Sequence, residues 1–245
     1  MVEKKVDILA FGVHPDDVEL GCSGTLIASI KQGKKAAIID LTRGELGTRG
    51  SAAKREIEAE NAAKVMGVHY RENLRMADGF FQIDEENIRK VITAIRKYQP
   101  EIVLSNALED RHPDHGRSSK LVADAAFLSG LRKIKTVLDG NEQEAWRPKN
   151  VFHYIQDRYL KPDFVFDISE VEEQKIQAIL CYTTQFNTTD TSEPQTYIST
   201  PDFLETVKGR ALMMGKRIGV KYAEGYLTQK SIGIEDFDNL IHKTT

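Results

Sequence analysis

Two cysteines, one tryptophan and seven prolines are all that this 245-residue chain holds of those residues. Cys22 and Cys181 are too few for a disulfide framework. They fit a reducing compartment, each as a small buried hydrophobe. Charge of one sign is also missing, since 34 Lys and Arg stand against 37 Asp and Glu for a net charge of −3. That balance excludes a broad basic face for nucleic acid and a polybasic stretch for anionic lipid. No apolar run approaches the length of a membrane span. The opening Met1-Val-Glu-Lys-Lys5 leads straight into strand-like sequence, so no signal peptide is expected. Internal repeats and low-complexity linkers are absent too. These absences together predict a soluble cytoplasmic protein of one domain over residues 1–245, long enough to bury a full core unaided.

What is present is an alternation of buried strands and amphipathic helices. Val6–Val13 and Ala36–Leu41 are short apolar runs that read as buried strands, with Ile102–Ser105 a further one and His69–Leu74 a weaker one. Helical periodicity runs from Asp17 through Leu26, Ile27 and Ile30 to Gly33. It returns over Ala52–Met66, stopped by Gly67, and after Asp84, with Ile88, Val91, Ile92 and Ile95 inward until Pro100. After His115 the inward set is Leu121, Val122, Ala125 and Leu128. Strand then helix, four times over, argues for an α/β, Rossmann-like three-layer sandwich with a mainly parallel sheet. Leu131–Asn150 reads as an exposed connection, and Val151–Ile155 and Phe164–Ile168 as strands. Ser169 and Glu172 form a capping-box pattern for a helix to about Tyr182. Thr183–Thr200 is a long polar loop, and Thr200-Pro201 opens a last helix with Leu204, Val207, Ala211, Met214 and Ile218 inward.

Two clusters interrupt this pattern, each just past a strand: His14-Pro-Asp-Asp17 and Arg111-His-Pro-Asp-His115. The carboxyl edge of such a sheet is where ligands bind. Two imidazoles and a carboxylate there suit a divalent ion that keeps a position open for water. His14 and Asp17 can bind from one turn and His115 from the neighbouring strand end. Such an ion polarises a carbonyl and brings the pKa of a bound water down to roughly 7. Asp16 stays off the ion as general base, and His112 is left to stabilise an oxyanion or protonate a leaving amine. Read one at a time, Asp17 and Asp114 also suit helix caps. A His-Pro-Asp motif repeated at two strand ends is not explained by capping.

His14-Pro-Asp-Asp-x-Glu19 followed by His112-Pro-Asp-His115 resembles the signature of the LmbE/PIG-L zinc-dependent N-deacetylases, which act on N-acetylglucosamine conjugates. The similarity runs over nearly the whole chain. It implies zinc on His14, Asp17 and His115, with Asp16 as base and His112 supporting oxyanion and leaving group. Fe2+, Mn2+ or Co2+ suit the same donors. Ile8–Gly12, Asp40–Glu45, Glu109–His115 and Tyr222–Tyr226 resemble the bacillithiol-biosynthesis branch, which deacetylates N-acetylglucosaminyl malate. The same glucosamine can instead carry an inositol or a cysteine-bearing aglycone. By that resemblance Arg55 binds the malate carboxylate, although Lys54-Arg-Glu56 also reads as a solvated charged run. Glu45 and Arg49 in the glycine loop are expected to line the pocket. Tyr197 resembles an oxyanion-assisting tyrosine and equally reads as an aromatic anchor. Relatives in the branch imply a homo-oligomer, a hexamer. Two rivals stay open: a nucleotide-binding fold using Gly21-Cys-Ser-Gly24 or Gly44–Gly50, and a non-catalytic sugar-binding subunit with a structural metal.

Overall fold

Alternating side chains of the buried strands face opposite ways, and helices cover both faces of the sheet they form. In the computed structural model, which describes residues 4–186 and 192–240, these are β1 (Ile8–Gly12), β2 (Ala36–Thr42), β3 (Tyr70–Met76) and β4 (Ile102–Ser105). The interleaved helices are α1 (Asp17–Gly21), α2 (Ser23–Lys31), α3 (Ala52–Met66), α4 (Glu85–Tyr98) and α5 (Pro113–Leu128). Leu9, Phe11, Ala37 and Ile39 pack with Val91, Ile95 and Val122 under α4 and α5. Ile8, Ala10 and Ile38 pack with Leu26, Ile27 and Met66 on the other face. The local signals act as expected: Asp84 caps α4 by accepting the Asn87 N–H at 2.9 Å, and Gly67 closes α3 at φ 74°.

Two short strands, β5 (Val137–Leu138) and β6 (Asn141–Glu142), form a hairpin inside the connection expected to be plain and exposed. The Arg96 guanidinium ties its start to the core by donating to the carbonyls of Ser129, Leu131 and Ile134. Then come β7 (Asn150–Tyr154), β8 (Phe164–Asp167), α6 (Glu172–Leu180), α7 (Thr183–Phe186), α8 (Phe203–Lys216) and β9 (Ala223–Thr228). The seven-stranded sheet runs β3-β2-β1-β4-β7-β9-β8, parallel from β3 to β7, with β9 antiparallel to both its neighbours. The fold is α/β and Rossmann-like.

Several local expectations are corrected. The helix from Asp17 breaks at Cys22 into α1 and α2. The capping box before α6 does not form, because the Ser169 hydroxyl donates to Asp167 and Val171 takes the cap position without a side-chain bond. The last helix starts at Phe203, past Thr200-Pro201, and ends before Ile218. β9 is a strand that the sequence pattern does not announce. Part of the loop expected over Thr183–Thr200, residues 187–191, lies outside the described residues. Cys22 is buried and Cys181 half-buried, both free thiols. Gly21 serves packing and not phosphate binding, since a Cβ there would sit 2.2 Å from the Tyr154 ring.

One buried charge carries a stability prediction. Glu172 is 4% exposed and neither of its carboxylate oxygens has a hydrogen-bond partner. Burial pushes its pKa up to about 6, with Lys175 opposing. A carboxyl raised in the folded state stabilises below its unfolded pKa, and that contribution is lost as pH climbs through about 6. Glu172→Gln is therefore expected to gain about 1–2 kcal/mol at pH 8 and to show no gain at acidic pH. Chemical denaturation at the two pH values checks it.

Candidate metal centre

The strand order reverses direction of growth between β1 and β4, and the two His/Asp clusters follow those two strands. They meet at one cleft of about 290 Å3, also walled by the loops after β2, β3 and β7. Pro113 at the first turn of α5 makes His112 the cap of that helix, its Nδ1 accepting the Asp114 N–H at 3.2 Å. Nδ1 is therefore unprotonated, and Nε2 carries the hydrogen as a donor. The capping alternative fails for both aspartates. Asp17 lies inside α1 with its Oδ2 accepting the His14 N–H, and Asp114 accepts from Gly79 N–H and Arg117.

The orientation of the other two imidazoles is set from behind. His14 Nε2 donates to Asp78 Oδ1 at 3.0 Å, and His115 Nδ1 donates to Asp110 Oδ2 at 2.7 Å. The free nitrogens then face Asp17: His14 Nδ1 lies 3.7 Å from its Oδ2 and His115 Nε2 3.2 Å from its Oδ1. Carboxylates behind ligating histidines fix tautomer and ring angle. Each contact with Asp17 needs positive charge between nitrogen and carboxylate, supplied by a proton on each ring or by one shared cation. The electrostatics agree. Burial alone would lower both imidazoles, yet Asp114, Asp78 and Asp17 raise His14 to about 10, and Asp17 and Asp110 raise His115 to about 9. Burial works to raise the Asp17 carboxyl, but the adjacent His115 and His14 hold it well below the usual range. The pocket stabilises positive charge, and its nitrogen and oxygen donors fit a divalent metal. Ring nitrogens of His14, His112 and His115 lie within 4.8 Å of one another, as do donor atoms of His14, Asp78 and Asp114. Asp78 and Asp114 both lie on the Nε2 side of His14, at 3.0 and 3.7 Å, and each is itself anchored by a backbone N–H, which suits them to orienting that ring.

Asp16 stands apart from this set. Its φ of 122° is rare for a residue with a side chain and marks local backbone strain. Burial pushes its carboxyl up to about 7, and Arg55 Nη1 at 3.6 Å holds it from rising further. Arg55 is 6% exposed, which overturns the solvated alternative. It also donates to the Pro15 carbonyl at 3.3 Å. The glycine loop lies flat on this guanidinium, where a Cβ at Gly44 would come within 2.9 Å of Nη1. A Cβ at Gly47 would likewise come within 3.0 Å of Arg55 Nη2, and one at Gly50 within 2.8 Å of Thr184, so these glycines serve packing.

Of the other expected residues, Tyr197 lines the cleft, its ring under Arg111 at 4.4 Å and its hydroxyl donating to Asp157 at 3.1 Å. Glu45 and Arg49 do not line it. Glu45 is exposed and braces the β3 loop by accepting the Asp78 N–H at 3.0 Å. Arg49 is buried and donates to the carbonyls of Thr184, Glu193 and Pro194, which clamps the glycine loop to those residues. Sequence reasoning misses Asp78, Asp110, Asn106 and Gln156. Asp78 follows β3, Asn106 and Asp110 follow β4 and Gln156 follows β7, and position there is the only signal that could have found them.

The PIG-L family model, described as GlcNAc-PI de-N-acetylase, matches residues 9–126, which contain both clusters. The uncharacterized deacetylase YaiS of Escherichia coli K12 is 30% identical over 164 residues, covering 64% of this chain and 85% of that protein. The chain belongs to the PIG-L family. This PIG-L protein is thus an N-deacetylase, a hydrolase of carbon–nitrogen bonds. Diacetylchitobiose deacetylase of Thermococcus kodakarensis is 28% identical over 232 residues, covering 89% of this chain and 81% of that one. A conserved protein of Thermus thermophilus superposes with a TM-score of 0.82 at 34% identity, covering 94% and 98% of the two chains. Among the described residues no helix of the PIG-L chain is long and apolar enough to cross a membrane.

Proposed function

We propose that the chain removes acetate from an N-acetylglucosamine conjugate, N-acetylglucosaminyl-L-malate of bacillithiol biosynthesis, with zinc held by His14, Asp17 and His115. The observation that carries the reading is the pair of imidazole nitrogens, 3.7 and 3.2 Å from Asp17, directed at one carboxylate. The GlcNAc and diacetylchitobiose activities of the matched family and relative support an N-acetylated amino sugar. When bound, zinc supplies a Lewis acid that polarises the acetamide carbonyl and lowers the pKa of water at the site.

The chain's own groups do the rest. Asp16, raised to about 7 and outside the ligand set, takes the proton of the attacking water. His112, with Nδ1 capped by a backbone N–H, turns Nε2–H towards the developing oxyanion and the leaving nitrogen. Buried carboxylates behind His14 and His115 keep both rings fixed while this happens. Tyr197 and Arg111 form the cleft mouth.

Malate brings carboxylates, and Arg55 is the buried guanidinium in the cleft wall that recognises one. Because Arg55 also touches Asp16, Arg55→Met is expected to slow every substrate. The discriminating quantity is the ratio: kcat/KM for the malate conjugate should fall about 10–100-fold more than for an uncharged N-acetylglucosaminide. Equal losses would remove malate recognition from Arg55. A panel of malate, inositol and cysteine-bearing conjugates at defined metal loading tests the substrate, and turnover of the inositol conjugate alone would overturn malate. The homohexamer belongs to the same proposal, with sedimentation as its check.

A further inference from the structure

Asp17 is held by more than the backbone. Its Oδ2 accepts the His14 N–H at 2.9 Å and Asn106 Nδ2 at 3.0 Å, and its Oδ1 accepts Gln156 Nε2 at 2.8 Å. Both side-chain amides are locked in that sense. Asn106 Oδ1 is taken by Val13 N–H and the Ser118 hydroxyl, each at 3.0 Å, which turns its NH2 towards Asp17. Gln156 is fixed at a cost. It is 6% exposed, yet its Oε1 has no hydrogen-bond partner while its Nε2 reaches the carboxylate. A buried amide with an orphaned carbonyl is destabilising on its own account. The fold accepts it where the opposite end does something else.

We infer that Gln156, with Asn106, is a positioning residue that sets the affinity of the Asp17 site for its divalent ion. Two donors on Oδ2 and one on Oδ1 fix the carboxylate plane and leave the remaining lone pair of Oδ1 on the side of His115 Nε2, 3.2 Å away. Freed from Gln156, the carboxylate can rotate, and the ion must then order it on binding. Asn106 has no oxygen to offer an ion, because Val13 N–H and the Ser118 hydroxyl take its Oδ1. The inference rests on His14, Asp17 and His115 holding the ion.

Gln156→Met is the clean variant, since it keeps the chain length of the side chain and removes the orphaned oxygen together with the donor. Zinc affinity of the full chain, read by competition with a chromophoric chelator, is expected to weaken about 10–100-fold, while the thermal midpoint of the chelated protein stays level or rises. A purely structural Gln156 predicts the reverse: a lowered midpoint with unchanged zinc affinity. Asn106→Leu should weaken zinc as well, but it also strands Val13 N–H and so lowers the midpoint. Wild-type zinc binding with Gln156→Met within twofold of it would overturn the positioning role alone. A wild-type chain that takes up no zinc would overturn the metal site and this inference with it.

Discussion

Asp16→Asn is expected to lower deacetylation by on the order of 10²–10⁴-fold with the zinc content of the protein unchanged. The size follows from removing proton transfer while leaving Lewis-acid polarisation in place. Metal retention follows if, as proposed, His14, Asp17 and His115 hold the ion, because the Asp16 carboxylate is turned to Arg55. Asparagine is the informative replacement. It keeps the shape of the side chain on a turn whose φ of 122° already strains the backbone, so a loss of activity is not a loss of the turn. Steady-state acetate release together with metal analysis of the same preparation checks it. Near wild-type activity would return the base role to another group.

Asp17→Ala is expected to abolish activity through a different route, by loss of the ion. Removing a neighbour that orients a metal ligand typically weakens binding by about 10–100-fold, so removing the proposed ligand itself should exceed that. Two buried donors, Asn106 Nδ2 and Gln156 Nε2, and the part-buried His14 N–H also lose their acceptor. Their desolvation adds a stability loss of about 2–4 kcal/mol. Zinc titration and chemical denaturation separate the two effects. A variant that unfolds more easily yet binds zinc as tightly as wild type would remove Asp17 from the ligand set.

The clusters were legible in the sequence because chemistry and position coincided: His14, Asp17, His112 and His115 each follow a strand that its apolar run announces. Arg55 was half legible. Ala59, Ala62 and Met66 mark the buried face of α3, and Arg55 falls on that face one turn earlier, although the charged run around it suggested solvent. β9 was hidden by its own content. Glu224 puts a carboxylate in a buried strand, and it is tolerated because Lys175, the Gly24 and Thr25 N–H groups and the Thr25 hydroxyl all bond it. Glu45 and Arg49 had the right loop but the wrong direction, since a loop's side-chain aim depends on partners far along the chain such as Thr184 and Asp78. Asp78, Asp110, Asn106 and Gln156 carry no spacing signature at all. They act through hydrogen bonds that only the assembled strand ends create.

The imidazole nitrogens of His14 and His115 turned towards the Asp17 carboxylate make a definite demand on the enzyme. Acetate release from N-acetylglucosaminyl malate should be measured on one preparation loaded with one equivalent of zinc, stripped by chelation, and reloaded. Turnover in the loaded and reloaded samples with none in the stripped one is the predicted result. Equal turnover in all three, with the stripped protein confirmed free of divalent metal, would contradict it.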